Sequence, residues 1–388
     1  DMKGDGSDES AKFALAIAAV EGTYQTLFGE AGKTYELSNT VNRLTLGSFT
    51  FDGLGCTLQN HRWELDDTCA NTTFKNYTSY RANDTTFTGG SVGSDYNGFV
   101  YLRGINTIID NVRFETFAGA LKRNTIWPYP GCDELVVRNC YFGPNSGGQG
   151  VAVGDNVTYE NNFFDDATTD DAIAIKAQAG SDELFLKFYG RTLSEFAASE
   201  TVTGGTSGAT ATVQSVTNNA DTAGRLRVSS VSGTFERNEV LTSSGGATSQ
   251  LNGIAYQVGG SKNWTISNNH FKNAFAACSI GSQCQDGFEM NNIAVSNNTL
   301  EDCQAIAYIK ASYSSTGATN SGGVLSSVVV DGNTLTNRDL TWTGAKAPVF
   351  LQCGFDSKLS GVVISNNTAI SRQVVGESGR NEFVAMSF

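Results

Sequence analysis

Four aspartates fall within seven positions of this 388-residue chain: Asp165, Asp166, Asp170 and Asp171. Crowded carboxylates disfavour joint ionisation, so one of them is held protonated while another stays charged. Glycoside hydrolysis uses this combination, with one carboxylic acid as proton donor and one carboxylate as base or nucleophile. We therefore predict Asp170, Asp171 and Asp166 as catalytic residues. Solvent-exposed turn aspartates and a calcium site are the alternatives for the same cluster.

Two lysines end segments in which alanine and isoleucine alternate, and we predict that both bind substrate. If Lys176 and Lys310 occupy equivalent positions of stacked strands, with Gly281 on the strand between them, about 9–10 Å separates them. That spacing suits carboxylate or sulfate groups on neighbouring sugars, although solvent-facing strand ends would look the same. Tyr308 offers an aromatic face to a sugar ring, and Asp302 extends the acidic edge that the four aspartates begin.

A repeated line of sequence must position these side chains. Each copy alternates apolar and polar residues, breaks at Asn or Gly, and resumes with an apolar residue. Alternation with period 2 predicts a half-buried strand, and Asn at the break tolerates a left-handed turn. The copies are residues 135–142, 157–164, 264–271, 293–300, 328–335 and 362–369, with a weaker one at 107–114.

Copies that are not separated by the long gap recur every 22 to 35 residues. Coils of this length are typical of a parallel β-helix, in which the Asn side chains of successive coils can form a ladder. A β-sandwich shows similar alternation but does not explain Asn-Asn at one register. We predict an all-β fold, a right-handed parallel β-helix (solenoid) over residues 1–180 and 263–388.

The gap between the second and third copies predicts an insertion over residues 181–262. Residues 181–199 place Leu184, Phe188 and Phe196 near helical spacing, which predicts an amphipathic helix. Residues 200–251 contain an internal echo of Thr/Val strands and Gly-rich turns. We therefore expect a small inserted α+β module, which binds sugar, packs against a neighbouring subunit, or is a structural excursion.

An Ala-rich segment at residues 11–20 predicts a short N-terminal helix. The open hydrophobic end of a solenoid needs a cover, and a short amphipathic helix provides one. We expect this helix to cap the β-helix.

The opening segment resembles the entry of pectate-lyase-like β-helices, phage tailspikes among them. The matching residues are Gly4-Asp5-Gly6, Asp8-Glu9, the helix at 11–20, and Ala31-Gly32 followed by Tyr35. The resemblance implies a polysaccharide depolymerase on the virion surface or outside the cell, and a homotrimer if the chain is a tailspike.

A second resemblance covers the predicted catalytic coils. Residues 169–176 are similar to the Asp-Asp-x-Ile-Ala-Ile-Lys segment of polygalacturonase-like glycoside hydrolases, and residues 279–282 to that family's Ser-Ile-Gly-Ser. Three positions depart from the family: Ala276 replaces its His, Tyr308 its Arg, and Gln149 the Asp one coil earlier. The resemblance implies the Asp pair as catalytic residues and Gln149 as a substrate-binding residue, with a different substrate.

The composition of the chain narrows the classes of ligand and partner that it could bind. The formal net charge is −13 and the pI about 4.6, which disfavours nucleic acid and anionic membranes. The longest apolar run, residues 13–20, is too short to span a bilayer. Two histidines and widely spaced cysteines predict no metal site and no cofactor, with most of the eight cysteines reduced and buried.

The leading hypothesis is an endo-acting depolymerase that hydrolyses a bacterial or algal polysaccharide, including acidic ones, by inverting acid/base chemistry. A polysaccharide lyase with a lysine as base, and a glycan-binding adhesin without catalysis, are the alternatives. Residues 1–4 do not resemble the start of a secretory signal, so we expect a mature or trimmed fragment.

Overall fold

The computed structural model describes residues 2–66, 68–83, 99–117, 125–128, 132–144, 151–152, 154–166, 172–175, 183–192, 194–220, 223–236, 239–257, 261–281, 289–311, 324–338, 347–353, 358–371 and 384–387. Within these residues the chain forms one α-helix and 33 β-strands. No described helix is long and apolar enough to cross a membrane.

The strands fall into three groups along the chain. The first group, with the helix, is β1 (Asp5–Asp8), α1 (Ser10–Val20), β2 (Thr26–Phe28), β3 (Thr34–Leu44), β4 (Thr50–Leu65), β5 (Ala70–Arg81), β6 (Val100–Leu102), β7 (Ile105–Thr116), β8 (Ile126–Pro128), β9 (Val136–Arg138), β10 (Tyr141–Phe142), β11 (Val151–Ala152), β12 (Val157–Glu160), β13 (Phe163–Asp165) and β14 (Ile173–Ile175). The second is β15 (Glu183–Tyr189), β16 (Thr201–Gly204), β17 (Thr210–Ala220), β18 (Ala223–Ser232), β19 (Val240–Ser243) and β20 (Thr248–Gln257). The third is β21 (Lys262–Ser267), β22 (His270–Lys272), β23 (Ala276–Ile280), β24 (Glu289–Ser296), β25 (Thr299–Glu301), β26 (Ala305–Lys310), β27 (Val324–Asp331), β28 (Thr334–Arg338), β29 (Val349–Gln352), β30 (Lys358–Ser360), β31 (Val363–Ser365), β32 (Thr368–Ser371) and β33 (Val384–Ser387).

The first and third groups wind into coils of three strands. One coil consists of β12, β13 and β14, the next of β21, β22 and β23, and the next of β24, β25 and β26. Equivalent strands pair in parallel, so the first two strands of each coil belong to a 21-stranded sheet A and the third to a six-stranded sheet B. The all-β, right-handed parallel β-helix predicted from the repeat is confirmed.

A ladder of buried asparagines holds the corner between the two sheet-A strands of each coil. Each side-chain Nδ2 donates to the Oδ1 of the next coil at 2.8–3.1 Å and also to a backbone carbonyl. Each Oδ1 in turn accepts the backbone N–H of the preceding ladder residue. The ladder residues are Asn162, Asn269, Asn298, Asn333 and Asn367. The Asn side chains that the sequence predicts at the turns therefore form hydrogen bonds with the turn backbone inside the solenoid.

The interior is filled by side chains stacked in register. Phe142 stacks on Phe164 with ring centroids 4.3 Å apart, and Phe164 on Phe271 at 4.8 Å. At the N-terminal end, α1 buries Phe13, whose ring centroid lies 5.8 Å from those of Phe51 and Trp63. The capping role predicted for this helix is confirmed.

The second group of strands forms a closed antiparallel barrel with its own hydrophobic core. The helix predicted over residues 181–199 is wrong: β15 is a strand, and the described residues 190–192 and 194–199 are not helical. Leu184, Leu186 and Phe188 point into the barrel core, with the strand period of two residues. The segment forms a strand rather than a helix because β18 and β20 both pair with β15. The module is therefore β rather than α+β.

The coils on either side of the insertion pair directly, Val157 with Trp264. This pairing supports the proposed division of the chain, in which residues 181–262 form a separate inserted unit. The barrel contacts the solenoid through Lys187, which is 2% exposed and donates its Nζ to the carbonyl of Arg103 at 2.9 Å.

Burial keeps the thiols and one histidine of this interior neutral. Burial raises the pKa of the Cys56 and Cys303 thiols to about 12. Cys69, Cys132 and Cys140 are likewise buried and reduced, as predicted. His61 is 1% exposed next to Trp63, and burial lowers the pKa of its imidazole to about 3.

The Asn298→Ala variant should lower the free energy of unfolding by about 2–4 kcal/mol, because it removes four buried hydrogen bonds worth a net ~1 kcal/mol each. Denaturant unfolding measures the change. Thr265→Ala, at an exposed position of the same coil stack, is the control. Equal stability of the two variants would contradict a stabilising ladder.

Replacing His61 with Phe should flatten the pH dependence of stability. Between pH 6.5 and about 3 the unfolded chain binds a proton at His61 that the folded chain does not, so wild-type stability falls as the pH falls. The variant should lose up to ~1.4 kcal/mol per pH unit of this slope. Unfolding free energies at several pH values measure it. His61→Gln, which also cannot titrate, should match His61→Phe, and a wild-type slope in both variants would disprove the assignment.

Candidate functional site

The outer face of sheet B carries an aromatic platform, in which the half-buried Tyr308 rests on Phe350, a ring that is only 8% exposed. The Tyr308 ring stacks on Phe350 of the next coil with centroids 4.5 Å apart and an interplanar angle of 20°. Phe275 lies on the other side of Tyr308, 5.9 Å away. The Lys310 Nζ lies 4.3 Å from the centroid of the Tyr308 ring. The structure thus brings the predicted binding residues Tyr308 and Lys310 together.

Strand register places these side chains side by side. Ile306, Ala307 and Ile309 of β26 are fully buried, whereas Tyr308 and Lys310 between and after them are half-buried. Tyr308 pairs with Phe350 of β29. On the other side of β26, Ser279 of β23 pairs with Tyr308. Tyr308, Lys310 and Phe350 therefore lie on strands, whereas Phe275 lies in the turn between β22 and β23.

Gly281 permits the close approach of β26. Its φ is +82°, and a Cβ there would lie 2.0 Å from the Lys310 carbonyl oxygen. Ile175, Ile280 and Ile309 occupy one register column on three successive coils. In the sequence, Gly281 follows Ile280 just as Lys176 follows Ile175 and Lys310 follows Ile309. Lys176 itself lies outside the described residues, and its spacing from Lys310 stays a prediction.

Two predicted acids lie at the corner between sheet A and sheet B. Asp166, Asn273 and Asp302 follow β13, β22 and β25 and share left-handed φ values of 49–54°. The Asn273 Nδ2 donates to the Asp166 Oδ1 at 2.6 Å. Asp302 donates its backbone N–H to Thr336 at 3.2 Å. Both aspartates therefore serve the turns of the solenoid, and this favours the turn alternative for Asp166.

The remaining predicted site residues lie outside the described part of the chain. They are the catalytic candidates Asp170 and Asp171 and the substrate-binding candidates Lys176 and Gln149. In sequence, Asp171 precedes β14 by two residues, and β14 pairs with β23, the neighbour of β26. Their roles stay predictions.

A buried ion pair lies on β4, four coils before β14. Arg62 and Glu64 are 3% and 1% exposed, with Nη2 3.4 Å from Oε2, and they alternate with the core residues Trp63 and Leu65. Burial lowers the pKa of Arg62. Glu64 pairs in register with Tyr101 of β6. The sequence did not predict this pair, because charged residues at outward positions of a strand are normally expected to face solvent.

Sequence reasoning also missed Phe275 and Phe350 beside Tyr308. The available signal was the register itself, since Phe350 falls at the Tyr308 position of the next coil. The variable number of residues between equivalent strands hides that alignment in the sequence. Among the described residues, no cluster of three His, Cys, Asp or Glu side chains could hold a metal ion.

No protein-family model matches the chain, and no curated protein matches it. Among solved structures, it is similar to endo-xylogalacturonan hydrolase from Aspergillus tubingensis (TM-score 0.42, 11% identity, 100% of this chain and 98% of that chain). It is also similar to a hyperthermoactive exopolygalacturonase from Thermotoga maritima (0.48, 12%, 99% and 88%). A third is the tailspike protein of E. coli bacteriophage HK620 in complex with a hexasaccharide (0.49, 11%, 94% and 53%), of which this chain spans about half the length.

The Gly281→Ala variant should destabilise the coils that carry Lys310. The left-handed backbone conformation costs an alanine ~1–2 kcal/mol, and the clash of its Cβ with the Lys310 carbonyl costs a further ~1–3 kcal/mol. Gly32→Ala is the matched control, because Gly32 has a φ of +73° but no atom within 4 Å of an added Cβ. Thermal unfolding compares them. Equal losses would show that the approach of the Lys310 carbonyl imposes no constraint.

Proposed function

We propose that this chain is an endo-acting polysaccharide depolymerase of the tailspike type. It is a glycoside hydrolase that cleaves a bacterial or algal polysaccharide at the outer face of sheet B. The observation that carries the proposal is the half-buried Tyr308 ring, backed by the buried ring of Phe350, with the Lys310 ammonium 4.3 Å from the Tyr308 centroid.

The platform suits a sugar chain. Phe350 covers one face of the Tyr308 ring and Lys310 lies over the ring, so the remaining exposed part of the ring supplies apolar contact for the C–H groups of a pyranose, whose hydroxyls stay free to hydrogen-bond. Lys310 carries a compact charge with three donors, which fits a ring oxygen, a hydroxyl, or a carboxylate or sulfate of an acidic sugar. The aromatic rings supply contact area, and Lys310 supplies orientation and charge.

The proposed chemistry uses the carboxylates that precede β14 in sequence. One of Asp170 and Asp171 protonates the glycosidic oxygen as the C–O bond breaks, and the other removes a proton from the water that attacks the anomeric carbon. Water is thus added across the bond with inversion, which requires carboxyl groups about 6.5–9.5 Å apart. Asp166 is the third candidate acid, and we assign Lys176, Gln149 and Asp302 to substrate binding.

Asp170→Asn and Asp171→Asn should each reduce the release of reducing ends by at least ~100-fold, because a positioned acid or base contributes about that much. A panel of bacterial and algal polysaccharides, with products analysed by mass, identifies the substrate. Asp5→Asn, at an exposed N-terminal position, is the control and should retain wild-type activity. Full activity in both active-site variants would contradict the proposed mechanism.

The same assay separates the alternatives. A lyase with Lys310 as base would give an unsaturated product that absorbs ultraviolet light, and a glycan-binding adhesin would bind the polymer without shortening it. For the hydrolase, Tyr308→Ala should raise KM more than it lowers kcat, because Tyr308 contacts sugar but moves no proton. The homotrimer, and the location on the virion surface or outside the cell, stay predictions.

A further inference from the structure

A second set of aromatic side chains faces outward on sheet A, on the middle strand of each coil. Tyr141, Phe163 and His270 occupy one register column on β10, β13 and β22. Ring centroids are 5.6 Å apart for the first pair and 4.7 Å for the second. Arg113 of β7 precedes them in the same column, with its guanidinium carbon 4.1 Å from the Tyr141 centroid. We call these four residues the aromatic row.

A parallel row of charged side chains lies two residues further along β7, β13 and β22 and continues on β25, with Gly143 at this position after β10. It contains Glu115, Asp165, Lys272 and Glu301, and we call it the charged row. The Tyr141 hydroxyl donates to the Asp165 Oδ2 at 2.9 Å, and the Lys272 Nζ lies 3.8 Å from Asp165 Oδ1. Burial and the bond to Asp165 raise the pKa of Tyr141, so its hydroxyl remains a donor.

The aromatic row ends at a surface hollow. A cavity of about 360 Å³ lies at the Arg113 end, lined by Leu54, Asn76 and Thr78 among others. Asn76 accepts a hydrogen bond from Asn111 at 2.9 Å, which fixes the polar wall of the hollow. Because Arg113 belongs to both, the row and the hollow form one continuous surface over the coils from β4 to β22.

Core packing does not account for the outward rings. The inward column of the same strands, Phe142, Phe164 and Phe271, already fills the interior. In the next coils the outward column continues with Thr299 and Thr334, an ordinary exposed strand composition. Aromatic rings are thus confined to three successive coils, and the charged row accompanies them.

We propose that the aromatic row and the charged row form a glycan-binding site for a neutral, hydroxyl-rich stretch of polysaccharide, separate from the cleavage site on sheet B. Successive rings, with centroids 5.6 and 4.7 Å apart, offer apolar contact area for successive sugars. Glu115 is ion-paired with Arg113 and Asp165 with Lys272, and the remaining lone pairs of these carboxylates and of Glu301 accept hydroxyl hydrogens. The three carboxylates outnumber the cations Arg113 and Lys272. That excess of negative charge favours a neutral polymer over an anionic one.

The test measures binding of the full-length chain by affinity electrophoresis through gels that contain dextran, mannan or galactan, with polygalacturonate as the anionic comparison. At least one neutral polymer should retard the wild type. Phe163→Ala and Tyr141→Ala should each weaken binding about tenfold, the equivalent of one ring contact. Phe163→Tyr keeps the ring and should retain binding, and Thr299→Ala, in the same column beyond the row, is the matched control. An unchanged thermal midpoint confirms folding.

Further variants separate this site from the proposed hydrolase. Asp171→Asn should abolish cleavage but leave retardation intact, and Phe163→Ala should still cleave short oligosaccharides. The proposal is overturned if no neutral polymer retards the wild type, or if Phe163→Ala and Tyr141→Ala migrate as the wild type does. It is also overturned if the wild type self-associates and Phe163→Ala is monomeric, because a second copy then covers the row.

Discussion

The buried asparagine ladder is the interaction on which the remaining structure depends. Each amide hydrogen-bonds the amide of the next coil and the backbone of the preceding coil, so the coils stack in one register with the polar groups of these corners paired. A shift by one residue would move every core side chain to the surface. Because the register is fixed, residues far apart in sequence form straight columns, and both proposed binding surfaces are such columns.

The repeat predicted the solenoid because its period and its turn residues report the same geometry. Alternation specifies a strand with one buried face, and Asn-Asn specifies the corner where Asn161 and Asn268 adopt left-handed φ values. The inserted barrel was harder to predict. Residues 181–199 satisfied helical and strand spacing equally, and only the pairing of β15 with β18 and β20 decided between them.

The candidate site also contains residues that the sequence could predict and residues that it could not. Tyr308 and Lys310 were predictable because they share one strand, and alternation places both on its outer side. Phe350 belongs to the next coil, and the variable number of residues between equivalent strands obscures the register. The aromatic row had a signal in the repeat itself, because Tyr141, Phe163 and His270 each precede the buried Phe of their copy. That signal was missed because outward positions were treated as solvent-exposed and without function.

The insertion also affects the order in which the chain can fold. Asn162 and Asn269 form adjacent steps of the ladder although 107 residues separate them. Closing a loop of that length costs conformational entropy, which grows with the logarithm of the loop length. If the barrel folds first, the effective loop shortens to the two segments that connect the barrel to the solenoid. Winding of the solenoid across this point therefore depends on a module that contributes no strand to it. A mutation in the barrel core would then slow folding of the whole chain while leaving the native coils unchanged.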